Sequence, residues 1–227
     1  MKVSIIIRAY NSETTLARAI ESALHQDFPS DQYEVIVLDD GSTDGTQTVA
    51  KRFEKDKRIR YIFQENKGHI AAANRGFKES QGLYVTLLDA DDEFLPTLLS
   101  TMIAEFEKDS EIDLVYSDYK EEYNGTERGV RVKHVLETTG AGIIYRKDRL
   151  EEVGLWNKDL LFPECDLILR TSSRWKFAYV PEPLFIYHRR TNSLTGDGTY
   201  EERGRAQLIS LHPDKIDEIS HIRSYAL

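Results

Sequence analysis

The chain has 227 residues, 40% of them hydrophobic and 30% charged, enough for one substantial core beneath a well-solvated surface. Its formal net charge of −9 argues against a nucleic-acid binder, which needs a basic face to neutralise phosphates, and more weakly against docking on anionic lipid. No apolar run is long enough to span a bilayer, Met1 to Ile7 lacks the pattern of a secretory signal, and the single Cys165 has no internal disulfide partner. A reducing cytoplasm is the expected setting, in solution or at the inner face of the membrane.

Val3-Ser4-Ile5-Ile6-Ile7 is a short β-branched run, as expected of a strand covered on both faces. Asn11 or Ser12 stands where it could cap a helix in which Leu16, Ile20 and Leu24 recur at one-turn spacing. After the break at Pro29 and Ser30, a second strand over 34–38 ends in Asp39-Asp40-Gly41-Ser42, and Val49, Ala50 and Phe53 mark the inner face of a second helix. Ile59 to Phe63 predicts a third strand, and Ile70, Ala73 and Phe77 a third helix. Tyr84 to Leu88 predicts a fourth strand, running into Asp89-Ala90-Asp91-Asp92. Leu98, Leu99, Met102, Ile103 and Phe106 form the apolar stripe of the helix after Pro96. Such alternation implies right-handed crossovers and a mainly parallel α/β sheet, whose ligands gather at the carboxyl ends of the strands. Both acidic clusters fall there.

The second half is less regular. Asp113 to Tyr119 and Arg131 to Val135 read as strands joined by a turn at Asn124-Gly125, and Ile143 to Tyr145 as another. Short helices are expected over 149–153 and 165–171, with extended segments over 177–180 and 184–188. No repeat, low-complexity tract or linker divides the chain, which predicts one domain over 1–227 with its last half irregular.

In Asp89-Ala90-Asp91-Asp92 several carboxylates crowd one loop, where they repel one another unless a cation neutralises them. Hard oxygen ligands suit magnesium or manganese, ions that commonly hold substrate phosphates. The competing reading is a solvated, helix-capping loop, disfavoured by the apolar strand directly before it. Asp39, at the end of the neighbouring strand, can accept hydrogen bonds from a base or ribose. Ordinary turn and cap chemistry accounts for Gly41 and for one of Ser42 and Thr43.

Taken together, Ile5-Ile6-Ile7-Arg8-Ala9-Tyr10-Asn11, Val37-Leu38-Asp39-Asp40-Gly41-Ser42-Thr43-Asp44 and Leu87-Leu88-Asp89-Ala90-Asp91-Asp92 closely resemble the family 2 glycosyltransferases, inverting enzymes with the GT-A fold. Glu65-Asn66-Lys67-Gly68 with Ala71-Ala72-Ala73-Asn74, and Tyr179-Val180-Pro181-Glu182-Pro183-Leu184 through Tyr187-His188-Arg189-Arg190, look like further segments of that family. The resemblance covers roughly residues 1 to 195. It implies a nucleotide-binding half over 1–110 and an acceptor-binding half over 111–227. It also implies that Ala9, Tyr10 and Ala90 lie along the nucleotide, that Asp39 binds the base, that Asp89 meets the ribose, and that Asp91 holds Mn2+ or Mg2+ on the diphosphate, with His188 as a further metal ligand. The catalytic base would be Glu164, with Asp166 as its competitor, in Pro163-Glu164-Cys165-Asp166. The implied activity is transfer of a hexosyl or N-acetylhexosaminyl group from a nucleotide sugar, UDP-linked by preference, to a saccharide, lipid-linked or other hydroxyl acceptor, as in cell-envelope polysaccharide synthesis.

The chemistry is consistent with those roles. An attacking hydroxyl needs a carboxylate to take its proton, the departing nucleoside diphosphate needs a cation, and a helix start favours a negative side chain such as Glu164. Two departures stand out. Many relatives carry arginine just before the asparagine at position 74, where this chain has Ala73, which transfers the neutralising role to His188, Arg189 or Arg190. Pro163 replaces the first acid of the usual pair. A sugar-nucleotide-binding module without activity is the non-enzymatic rival. A haloacid-dehalogenase-type phosphohydrolase is the enzymatic one, since Asp89-Ala90-Asp91 imitates its nucleophile motif; but Asp39-Asp40 precedes that motif rather than following it, and Glu93 stands where threonine or valine is expected.

Overall fold

The computed structural model describes residues 1–189 and 198–222. In chain order the strands are β1 (Val3–Ala9), β2 (Tyr33–Asp40), β3 (Ile59–Gln64), β4 (Tyr84–Asp89), β5 (Glu93–Phe94), β6 (Ile112–Tyr123), β7 (Thr126–Val130), β8 (Ile143–Arg146) and β9 (Lys176–His188). The helices are α1 (Leu16–Leu24), α2 (Thr46–Lys51), α3 (His69–Glu79), α4 (Leu98–Lys108), α5 (Lys147–Glu152), α6 (Pro163–Thr171), α7 (Gly198–Leu211) and α8 (Ile216–Ile219). One mixed sheet runs β3-β2-β1-β4-β8-β6-β9-β5, with β7 paired to β6.

The first four strands are parallel, as the alternation predicts. Side chains alternate across the pleat. Ile5 and Ile7 therefore enter one core, with Leu16 and Ile20 of α1 and Leu99 and Met102 of α4. Ile6 enters the other, with Ile70 and Phe77 of α3 and Leu167 of α6. This double coverage is why β1 and β2 read as unbroken apolar runs. Beyond β4 the sheet stops being parallel: β8 is antiparallel to both β4 and β6, β9 is parallel to β6, and β5 is antiparallel to β9. Among the described residues, no helix is long and apolar enough to cross a membrane.

Several local expectations are corrected. Neither Asn11 nor Ser12 caps α1; Thr15 is its N-cap residue, and Asn11 sits at φ 47° with its side-chain oxygen accepting from the Thr43 amide at 2.9 Å. The strand expected over Arg131 to Val135 is instead β7, which ends at Val130 because the Asn124-Gly125 turn, both residues at positive φ, folds the chain back at once. The two extended segments over 177–188 are one 13-residue strand, kept in one ladder with β6 by register shifts that take up its two prolines.

Candidate active site

The ends of β1, β2 and β4 enclose a cavity of about 350 Å³, lined among others by Tyr10, Asp40, Asn66, His69, Asp89 and Asp91. Strand register builds it. Arg8 lies opposite Asp89 on β4, and Ala9 opposite Asp39 on β2. Ala9 and Ala90 are buried in the floor, while Tyr10 is exposed at the mouth. Gly41 has φ +79°, and a Cβ there would stand 2.6 Å from the Asn66 backbone nitrogen. That close approach needs glycine, and it brings Asn66 and Gly68 to the cavity edge.

The structure separates the two neighbouring aspartates. Asp39 is fully buried and does not line the cavity. One of its oxygens accepts from the Ser42 amide at 2.8 Å, the other from the Tyr61 hydroxyl at 2.7 Å. Burial, with Asp39 beside it, pushes the Tyr61 hydroxyl well above its ordinary pKa. Asp40 is on the wall, and its Oδ1 accepts from Gln64 Nε2 at 2.6 Å and from the Lys67 amide at 2.9 Å. Strand alternation turns one carboxylate inward and the next toward the ligand space.

In the acidic loop, Asp89 and Asp91 face the cavity, and Arg18 Nη2 donates to the Asp91 carbonyl at 2.7 Å. Asp92 turns inward and accepts from the His188 amide at 2.9 Å. Burial first, then the charges of Asp91 and Asp89, push the Asp92 carboxyl well above the usual carboxylate range. A raised folded-state pKa means that the contribution to stability is complete below the unfolded-state value and is lost as pH rises toward the folded-state one. In metal-free buffer, Asp92→Asn should therefore raise the melting temperature more at pH 8 than at pH 5, by roughly 2–4 °C for each kcal/mol relieved. An equal shift at both pH values would contradict a raised Asp92 pKa.

Among the described residues, no three His, Cys, Asp or Glu side chains are grouped to cage a metal ion. The exposed carboxylates of the loop fit a hard divalent cation that completes its shell with substrate oxygens. His188 has both ring nitrogens engaged, Nε2 2.7 Å from Glu93 and Nδ1 3.0 Å from Glu122. Arg189 Nε lies 3.4 Å from Glu121, away from the cavity lining, and Arg190 lies outside the described residues.

Pro163 starts α6, its missing N–H costing nothing at that position, and Glu164 stands in the first turn. Glu164 Oε1 lies 3.4 Å from Arg8 Nη1. The same guanidinium donates through Nε to Asp89 Oδ1 at 2.9 Å, with Nη2 2.7 Å from that oxygen. Burial opposes the charge of Arg8, but the two carboxylates more than offset it, so the guanidinium is held above its ordinary pKa. Asp166, two residues on, turns roughly 200° around the helix. It pairs with Arg170 at 3.1 Å and His212 at 2.9 Å, and it does not line the cavity. Trp156 and Phe162 are buried in the core beneath α6.

A second cavity of about 320 Å³ adjoins the first, sharing Gly68 and His69 and adding Lys158, Leu161 and Tyr200. Burial and then the nearby Glu164 charge raise the Tyr200 hydroxyl pKa. Ala73 is packed in the core, and Asn74 bonds the Trp156 carbonyl at 2.8 Å. The cation in the cavity is thus Arg8, which the sequence reading passed over along with Asp40 and His69. Its signal was available: a charged residue directly after a five-residue apolar strand, on a buried element.

The family model described as "Glycosyl transferase family 2" matches residues 4–171, and the chain belongs to that family. It is 38% identical over 116 residues to the chondroitin synthase of Escherichia coli, an alignment covering 51% of this chain and 17% of that one. The chain therefore spans about a sixth of that relative's length. Among solved structures it resembles S. aureus TarS 1-349 in complex with UDP-GlcNAc, at 22% identity and TM-score 0.77, over 100% of this chain and 74% of that one. It also resembles the mannosyltransferase PcManGT of Pyrobaculum calidifontis in complex with GDP-Man and Mn2+, at 17% identity and TM-score 0.76, over 95% and 64%. The fold is the GT-A type of these neighbours.

Proposed function

We propose that this chain moves a hexosyl or N-acetylhexosaminyl group from a nucleotide sugar, UDP-linked by preference, to an acceptor hydroxyl, with inversion at the anomeric carbon and a divalent cation. The observation that carries this reading is the meeting of Asp40, Asp89 and Asp91 around one cavity, with Arg8, which also lines it, bridging Asp89 to Glu164 at the start of α6. The nucleoside would lie against Tyr10, Ala9 and Ala90, with Asp40, rather than the buried Asp39, turned toward the base. Asp89 would meet the ribose. Asp91 would hold Mn2+ or Mg2+, which when bound offsets the charge on the departing diphosphate. His188 would serve that ion only by leaving Glu93 or Glu122, so Asp91 is its principal protein ligand.

The acceptor would enter through the cavity lined by Lys158, Leu161 and Tyr200 and present its hydroxyl to Glu164. A proton passing to Glu164 as the hydroxyl attacks from the face opposite the leaving group gives inversion. A saccharide or lipid-linked glycan of the cell envelope, met in the cytoplasm or at the inner membrane face, fits this reading. The UDP-GlcNAc and GDP-Man complexes of the structural neighbours support a nucleotide-sugar donor.

Thermal shift with UDP, GDP and dTDP, each with Mn2+ or chelator, tests the reading. A ligand bound only by the folded state must raise the melting temperature, and one nucleotide should do so in a Mn2+-dependent way. No shift with any of the three would contradict it. The assignment of the base contact is tested by comparison: Asp40→Ala should weaken UDP at least tenfold while leaving inorganic pyrophosphate nearly unchanged, whereas Asp39→Ala should chiefly lower the melting temperature. Equal loss of both ligands in Asp40→Ala would remove base recognition from this residue.

A further inference from the structure

Arg8 is 8% exposed, and its charge joins two carboxylates that lie 75 residues apart in sequence. Buried ion clusters contribute little net stability, because desolvation consumes most of the attraction. Here the cluster spans the end of β4 and the first turn of α6, the two pieces on either side of the reaction space. Ile7 and Ala9, both buried, hold the β1 backbone on each side, so the guanidinium leaves a fixed point. Its planar fork engages Asp89 through Nε and Nη2 and Glu164 through Nη1. The 3₁₀ turn over Gly140–Gly142 also approaches Glu164, and a Cβ on Gly140 would stand 3.2 Å from Glu164 Oε1. The same carboxylate oxygen thus has a glycine and a guanidinium as close neighbours.

We propose that Arg8 is a positioning residue that fixes the Glu164 carboxylate relative to the acidic loop, so that donor site and base are set in one frame. This inference rests on the reading of Glu164 as general base. Without the fork, Glu164 keeps its chemistry but loses its placement. A misplacement of about 1 Å at a reacting group can cost on the order of 10²-fold in rate. Lysine keeps the charge on a flexible point and cannot span both carboxylates in the same way.

The test is a double-mutant cycle of Arg8→Met and Glu164→Gln, with Arg8→Lys as the conservative variant. Turnover is followed as nucleoside diphosphate release from UDP-GlcNAc or GDP-mannose with MnCl2, whichever the unaltered chain consumes. Donor affinity is read by calorimetry with the matching nucleoside diphosphate, and folding by thermal melts. Arg8→Met should lower turnover ~10²-fold, far more than it weakens the nucleotide, and should cost less than threefold when Glu164 is already glutamine. Arg8→Lys should fall between the two, with its melting temperature retained. Additive losses, a turnover loss matched by lost nucleotide affinity, or a fully active Arg8→Lys would each overturn the inference. Full turnover by Glu164→Gln alone would remove the base assignment itself, an outcome distinct from additivity with that variant impaired.

Discussion

Glu164→Gln is expected to lower sugar transfer by ~10²–10⁴-fold, the usual cost of losing a general base, while nucleotide affinity survives. The amide keeps the shape of the side chain and an oxygen for Arg8, but it cannot take a proton at neutral pH. The proposed nucleotide contacts lie on β1, β2, β4 and the start of α3, and the substitution leaves the apolar packing of α6 against them unchanged. Asp166→Asn should behave in the opposite way. Its carboxylate pairs with Arg170 within α6 and ties the helix to His212 just beyond α7, and weakening those charged hydrogen bonds costs roughly 2 kcal/mol in stability. Melts and transfer rates of the two variants separate the roles. Normal turnover by Glu164→Gln with a well-folded but inactive Asp166→Asn would move the base to Asp166.

The second large effect is expected at Asp91. Asp91→Asn should abolish the Mn2+-dependent part of nucleotide binding while the melting temperature of the free chain holds. Its side chain faces the cavity, and the loop is anchored independently by Arg18 on the Asp91 carbonyl and by the Ala90 amide on the Arg8 carbonyl at 3.1 Å. A cation there neutralises Asp89 and Asp91 together, so its loss should be felt by UDP far more than by uridine. Calorimetry with UDP, in Mn2+ and then in chelator, reads this directly. Unchanged affinity in both conditions would exclude Asp91 as a metal ligand.

The parallel half of the sheet was legible because its central strands β1 and β2 are buried on both faces and read as nearly unbroken apolar runs. The helices that cover them repeat at 3.6 residues, and the buried set Leu98, Leu99, Met102, Ile103 and Phe106 was visible in the pattern of α4. The second half was harder for physical reasons. β7 is exposed along almost its whole length and offers no burial pattern, and β9 carries two prolines that suggest breaks. In the site, the acidic loops announced themselves by composition, but which aspartate of a pair faces the ligand depends on strand phase. Asp39 and Asp40 are one residue apart, and the pleat alone decides which of them lines the cavity. Arg8 escaped notice because its partners, Asp89 and Glu164, are distant in sequence, and no local spacing encodes a contact of that kind.

The most direct test of the account is a crystal structure of the chain with UDP and Mn2+. The account predicts uridine against Tyr10 and Asp40, the diphosphate over the acidic loop, Mn2+ on the Asp91 carboxylate, and Glu164 beside the open face where a sugar would attach. UDP bound elsewhere, or in this cavity with the ion away from Asp91 and the base away from Asp40, would contradict it.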